Sequence, residues 1–365
     1  MRTPLPLLPR GTGLQTPGLL VRSGCCRATP SRAALLTLLL TQSLSAQTWT
    51  PQQSGTTASL RGISAVTDRI VWASGSNGTW LRTTDGGATW HSATVPGAET
   101  LDFRGVHALN ATTAWQLSSG PGDKSRIYKT TDAGNHWTLQ YTNPDAKGFF
   151  DAIAFWNPTH GIVLGDPVDG QFVILTTTDG GVTWNRRPTP PALPNEGAFA
   201  ASNTCLILSR NGTAWFGTGG PGAARVFRSR DRGLSWTVAP TPIRNDGASA
   251  GIFSLAFADA RHGIAAGGDY SKPTDAASNI AITADGGLTW IASTARPSGF
   301  RSAVVYIAAR QTWITTGTSG SDISVDNGKS WKQFDTAAYN ALATAGRDAT
   351  WAAGPKGTIA RLRWR

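Results

Sequence analysis

Three arginines occupy equivalent places in short apolar strings: Arg61 in LRGI, Arg104 in FRGV and Arg301 in FRSA. A guanidinium presents a planar fork of donors that fits a carboxylate or phosphate bidentately, so arginines gathered from separate strings would recognise an anionic group. They could instead pair with local aspartates and tie neighbouring elements together. The matching positions in the other strings hold Asp151 in FDAI, Ala200 in FAAS, Ser254 in FSLA and Asn340 in YNAL. Downstream acids follow in GDPVDG (Asp166) and in GDYSKPTD (Asp269, beside Tyr270 and Lys272). Two carboxyls facing each other across a cleft can hydrolyse a glycosidic bond, and Asp151 with Asp166 is the pair placed for it.

Other chemistry lacks its residues. His160 and His262 sit in matching turns, PTHG and ARHG, which marks them as turn formers. No paired Cys/His spacing, phosphate-binding glycine loop or nucleophile elbow occurs, and GDPVDG is too poor in acids for a calcium loop. No metal and no cofactor is therefore expected. Cys205, in TCLIL, reads as a small buried hydrophobe.

The elements that must position these residues are repeats. An octapeptide recurs as TTDGGATW, TTDAGNHW, TTDGGVTW, SRDRGLSW, TADGGLTW and SVDNGKSW. Its aspartates, Asp85, Asp132, Asp179, Asp231, Asp285 and Asp326, fall 47, 47, 52, 54 and 41 positions apart, a period that means stacked or radial supersecondary units. The Asp carboxylate can accept N–H groups just ahead of it, and the Gly that follows can take φ > 0, which is hairpin chemistry. The closing Trp begins the next strand with a large ring to pack between sheets. These six aspartates are read as structural.

Between the octapeptides the apolar strings each open an alternating strand, and a second strand ending in Gly follows: VWASG, GIVLG, GIAAG and their equivalents. The strings number seven where the octapeptides number six. Each unit reads as four strands, A to D, but the last stops after three. QTWTPQQSG, residues 47 to 55, can supply the missing outer strand and close a ring. The expected fold is all-β: a seven-bladed β-propeller with four-stranded antiparallel blades, closed by the N-terminal strand. In such a ring Arg301, Asn340, Arg61 and Arg104 come from consecutive blades and would form a basic arc on the top face beside Asp151, with the octapeptide turns on the opposite face.

Residues 1–46 carry five arginines, no acid and the run AALLTLLL, followed by small residues near 45. They read as an export signal, leaving 47–365 as one propeller domain and a periplasmic or extracellular location. Removing those five cations lowers the formal charge from +11 to +6, and no Lys/Arg block remains, so no nucleic-acid partner is expected. The mature chain is expected to be a monomer.

Six copies of S/T-x-D-x-G-x-T/S-W match the Asp-box, or BNR repeat, of sialidases and other propellers. Runs such as FDAIAFWNPTHGIVLG ahead of TTTDGGVTW most resemble the photosystem II stability/assembly factor family and its exported relatives. That resemblance implies a non-catalytic scaffold that holds a protein, such as a membrane-protein client, or a carboxylated or glycan ligand on an arginine-bearing face. Arg61, Arg104 and Arg301 are the candidates for that face, with Asn340, Asp151, Asp166 and Asp269 around them. The rival is a sialidase-like or xyloglucanase-like hydrolase; the chain lacks the Arg-Ile-Pro start of sialidases, and its glutamates are limited to Glu99 and Glu196.

Overall fold

A computed structural model describes residues 47–364. The expected export signal, residues 1–46, lies outside the described residues. Blade 1 shows the common plan: Leu60–Ala65, Val71–Gly75, Thr79–Thr83 and His91–Thr94 pair in sequence as an antiparallel meander. The inner strands of the next six blades are Phe103–Ala108, Phe150–Phe155, Leu206–Leu208, Ala250–Phe257, Ala303–Ile307 and Ala341–Ala345. Burial explains the order within a blade. The second strands of blades 1, 2 and 7 are buried along their length, whereas the fourth strand of blade 1, His91–Thr94, lies partly exposed at the rim.

Blade 7 is completed from the other end of the described chain. Gln47–Gln52 pairs antiparallel with Ile359–Trp364, setting Trp49 opposite Leu362. Trp49 is the anchor: its ring lies 5.4 Å from that of Tyr339 and 6.2 Å from that of Phe334, and its Nε1 donates to Ser321 Oγ of blade 6 at 3.0 Å. The core is accordingly not one mass but seven apolar clusters, each built from two adjacent blades. The cluster of Leu60, Leu81 and Trp351 joins blades 1 and 7, and so exists only in a closed ring.

The octapeptide is a self-capping turn. Thr83 Oγ1 donates to Asp85 Oδ1 at 2.7 Å and accepts from Gly87 N at 2.9 Å, while Thr89 N and Oγ1 donate to the same carboxylate at 3.0 and 2.6 Å. Thus the hydroxyl two residues before the Asp and the one four residues after it are both used. Each turn is also tied to its neighbours. Gly86 N donates to Arg69 O in the first turn of its own blade, and Trp115 Nε1 of blade 2 donates to Gly180 O in the turn of blade 3. The octapeptides therefore sit on the face of the inner-turn loops, away from the ends of the inner strands that carry Arg61 and Arg104. Gly134 illustrates why the glycine recurs: at φ +92° its missing Cβ leaves room for the Trp80 ring of blade 1.

One sequence expectation shifts in blade 4. FAAS, residues 199–202, is not strand; the inner strand begins at Leu206, and the residues before it form a loop across the mouth. The longer spacing of 52 between Asp179 and Asp231 is that insertion.

Two outcomes test this account. Trp49→Ala removes a buried ring from the closing seam and should cost about 3–5 kcal/mol in urea unfolding. Hydrogen bonds from His136 and Thr183 hold Asp132 and Asp179 down to about 2. Since these folded values lie below the unfolded one, their stabilisation is complete above about pH 4 and drains as pH falls toward 2. Melting curves should show that loss, and Asp179→Asn should flatten its share.

Candidate functional site at the mouth of the ring

Four inner strands share one irregularity. Register shifts fall between Leu60 and Gly62, Phe103 and Gly105, Phe150 and Ala152, and Ile252 and Ser254. The extra residue of each bulge is Arg61, Arg104, Asp151 and Phe253 in turn. A bulge re-aims one side chain without breaking the strand. Asp166 arises the same way, between Gly165 and Pro167 in the second strand of blade 3. Arg61, Arg104, Asp151, Phe253, Asp166 and Asn340 line one cavity of about 620 Å³ at the mouth.

The cavity is polarised around the ring. On the basic side, Arg104 Nε donates to Asp102 Oδ2 at 2.7 Å. Arg61 Nε is buried with no acceptor. Burial first, and the neighbouring Arg104 second, hold the Arg61 guanidinium below its ordinary pKa, with Asp102 opposing. Blade 3 supplies the acidic side. Asp151 is fully buried, and neither of its carboxyl oxygens has a hydrogen-bond partner. Burial pushes its pKa well above the carboxylate range; nearby Asp166 adds to this and Arg104 opposes it. Asp166 Oδ1 accepts from Ala198 N at 2.8 Å, yet burial still raises the carboxyl to about 6.

Asn340 faces the cavity but also donates through Nδ2 to Leu60 O at 2.8 Å, fastening blade 7 to blade 1. Arg301 departs from the expected arc. It is fully buried within blade 6: Nε donates to Asp322 Oδ2 at 2.6 Å, Nη1 to Phe300 O and Ser319 Oγ, and Nη2 to Ser298 Oγ. No bulge precedes Ala303 to turn Arg301 outward, and Asp322 on the third strand of its blade satisfies the charge internally. Asp269 is likewise drawn away. It caps its own loop, accepting from Ser271 N and Oγ at 2.9 and 2.7 Å with Lys272 Nζ 3.5 Å off, and it does not line the cavity.

Apart from Tyr270, the far wall falls outside the sequence expectations. Phe199 and Phe253 stack with centroids 3.9 Å apart, Tyr270 stands edge-on to both, and Phe300 meets Phe253 at 4.7 Å. An aromatic or Leu at the start of each string reads as a core marker, which conceals that blades 4 and 5 turn theirs into the mouth. The insertions before Asp231 and Asp285 are the available signal. Beneath the acids, Cys205 is buried and its thiol is pushed well above the usual range by that burial. Among the described residues no group of three or more His, Cys, Asp or Glu could hold a metal ion.

This geometry defines a closed seven-bladed β-propeller with a charge-divided mouth, and comparison with solved structures agrees on the fold. The structure of YCF48 bound to D1 peptide is similar at 18% identity and TM-score 0.62, covering 86% of this chain and 96% of that one. YCF48 from Cyanidioschyzon merolae is similar at 16% identity and TM-score 0.60, covering 86% and 98%. The WD40 propeller domain of Doa1 is similar at 12% identity and TM-score 0.58, covering 88% and 96%. No family model matches the chain, and no curated protein does.

Asp151 gives a stability test. Its folded pKa lies above the unfolded value, so its contribution is favourable below about pH 4 and is lost as pH rises. Asp151→Asn should therefore raise the melting temperature at pH 7 to 8 by roughly 2–4 °C for each kcal/mol relieved, with the gain disappearing near pH 4.

Proposed function

We propose that the protein is an exported, non-catalytic binding or assembly scaffold that docks a carboxylate-bearing segment of a protein partner, such as a membrane-protein client, on Arg61 and Arg104. One observation carries the reading: Arg61 Nε lies buried at a cavity wall with no acceptor. A buried guanidinium short of acceptors costs free energy, and a carboxylate docked on its cavity-facing side would offset that cost. Propellers commonly place binding residues on the loops and strand ends of one face. YCF48, which shares the fold, has been solved with a peptide in place. The rival reading, glycan hydrolysis by Asp151 and Asp166, would need an acid that reaches its substrate, whereas both Asp151 oxygens are sealed from solvent.

The deciding experiment is fluorescence polarisation with short peptides ending in a free carboxylate or in an amide, alongside capture from host membranes. The carboxylate form should bind more tightly. Arg61→Ala combined with Arg104→Ala should weaken it about 10- to 100-fold, the loss expected for hydrogen bonds to a charged group. Equal binding of both peptide forms, or Asp151-dependent turnover of a glycan panel, would sink the proposal.

A further inference from the structure

The geometry points to a second subsite in the same mouth: the wall formed by Asp151, Asp166, Phe199, Phe253 and Tyr270 is a seat for a protonated alkylammonium group. This rests on the mouth being the docking surface, but it uses the side opposite the arginines. A cation is attracted both to carboxylates and to the faces of aromatic rings, and aromatic walls beside an acid are the arrangement that selects ammonium over neutral groups. Here blade 3 supplies the acids, while blades 4 and 5 supply the rings, and all five residues line one cavity.

Three details show that the wall is built. Asp151 lines the wall fully buried with neither oxygen hydrogen-bonded, a polar group without a protein partner that adds to the field at the seat and does not itself touch the ligand. The loop carrying Phe199 is pinned by buried Glu196, which accepts from Leu193 N at 2.7 Å, Thr218 Oγ1 at 2.6 Å and Arg225 Nε at 2.9 Å. Phe199 can lie over Phe253 because Gly219 and Gly251 bring their backbones together beneath it; a Cβ at either would meet the Phe199 ring within 2.8 Å. Asp166, by contrast, keeps part of its surface open, and Tyr270 is 55% exposed, so both can meet a ligand from the mouth. With Arg61 and Arg104 across the cavity, the preferred ligand carries an ammonium and a carboxylate together.

The ammonium can belong to a lysine of a protein partner or to a free amine. Ligand-observed NMR and calorimetry on the whole protein separate these, using butylammonium chloride, 1-butanol, and a short lysine-bearing peptide with a free carboxylate in plain and Nε-acetylated forms. Butylammonium should bind in the millimolar range and at least about tenfold more tightly than 1-butanol. Asp166→Asn and Tyr270→Ala should each weaken it about fivefold or more, and the exposure of Tyr270 makes that variant safe for folding. The Arg61→Ala, Arg104→Ala protein should bind butylammonium at least as tightly as wild type, since two repelling cations leave the same cavity, so failure of the carboxylate reading would leave this response in place. Weakening of the peptide on acetylation assigns the group to a partner's lysine; indifference to acetylation assigns it to a free amine. Butanol binding as well as butylammonium, an unchanged Asp166→Asn protein, or no butylammonium response at millimolar concentration would overturn the proposal.

Discussion

Closure of the ring is the constraint on which everything else rests. A single four-stranded blade has two apolar faces and no core of its own, so each blade is stable only between two others. The pairing of Gln47–Gln52 with Ile359–Trp364 converts a row with two bare ends into a circle with none. Through Trp49 it also binds blade 7 to blade 6, at Ser321. The mouth follows from the same closure: Asn340 reaches Leu60, 280 positions away, and so stands beside Arg61 only when blade 7 meets blade 1.

Within that frame, the site is made by departures from regularity. The octapeptide turns repeat nearly the same hydrogen bonds in every copy, which is the behaviour of scaffolding. The bulged residues differ from blade to blade: two cations, two carboxyls and a phenylalanine. A repeat that is uniform on one face and varied on the other confines the chemically distinctive residues to the mouth.

The fold was legible because its signals are local and repeated. Hydroxyl, Asp, Gly and Trp at fixed offsets specify a turn, and the mismatch between seven strings and six octapeptides specifies the terminal strand exchange. The mouth was legible in part. Arg61, Arg104, Asp151, Asp166 and Asn340 share a cavity, as the ring phase implied. Arg301 does not join them, because its fate depends on Asp322, a residue in a different strand that no spacing rule connects to it. Phe199 and Phe253 were hidden for a related reason. A phenylalanine at the start of an apolar string looks the same whether it fills a core or faces a cavity; a bulge one residue long turns Phe253 into the mouth, and a loop in place of the expected strand carries Phe199 there.

The strand exchange has a further consequence for how the molecule is made. The strand Gln47–Gln52 has its partner in Ile359–Trp364, so its hydrogen bonds cannot form until that distant segment has left the ribosome. Contacts of such long sequence separation pay a large loop-closure entropy and form late. Until then the apolar edge of blade 7 and the face of blade 1 stand open, and the nascent chain is exposed to aggregation through nearly all of the propeller's synthesis.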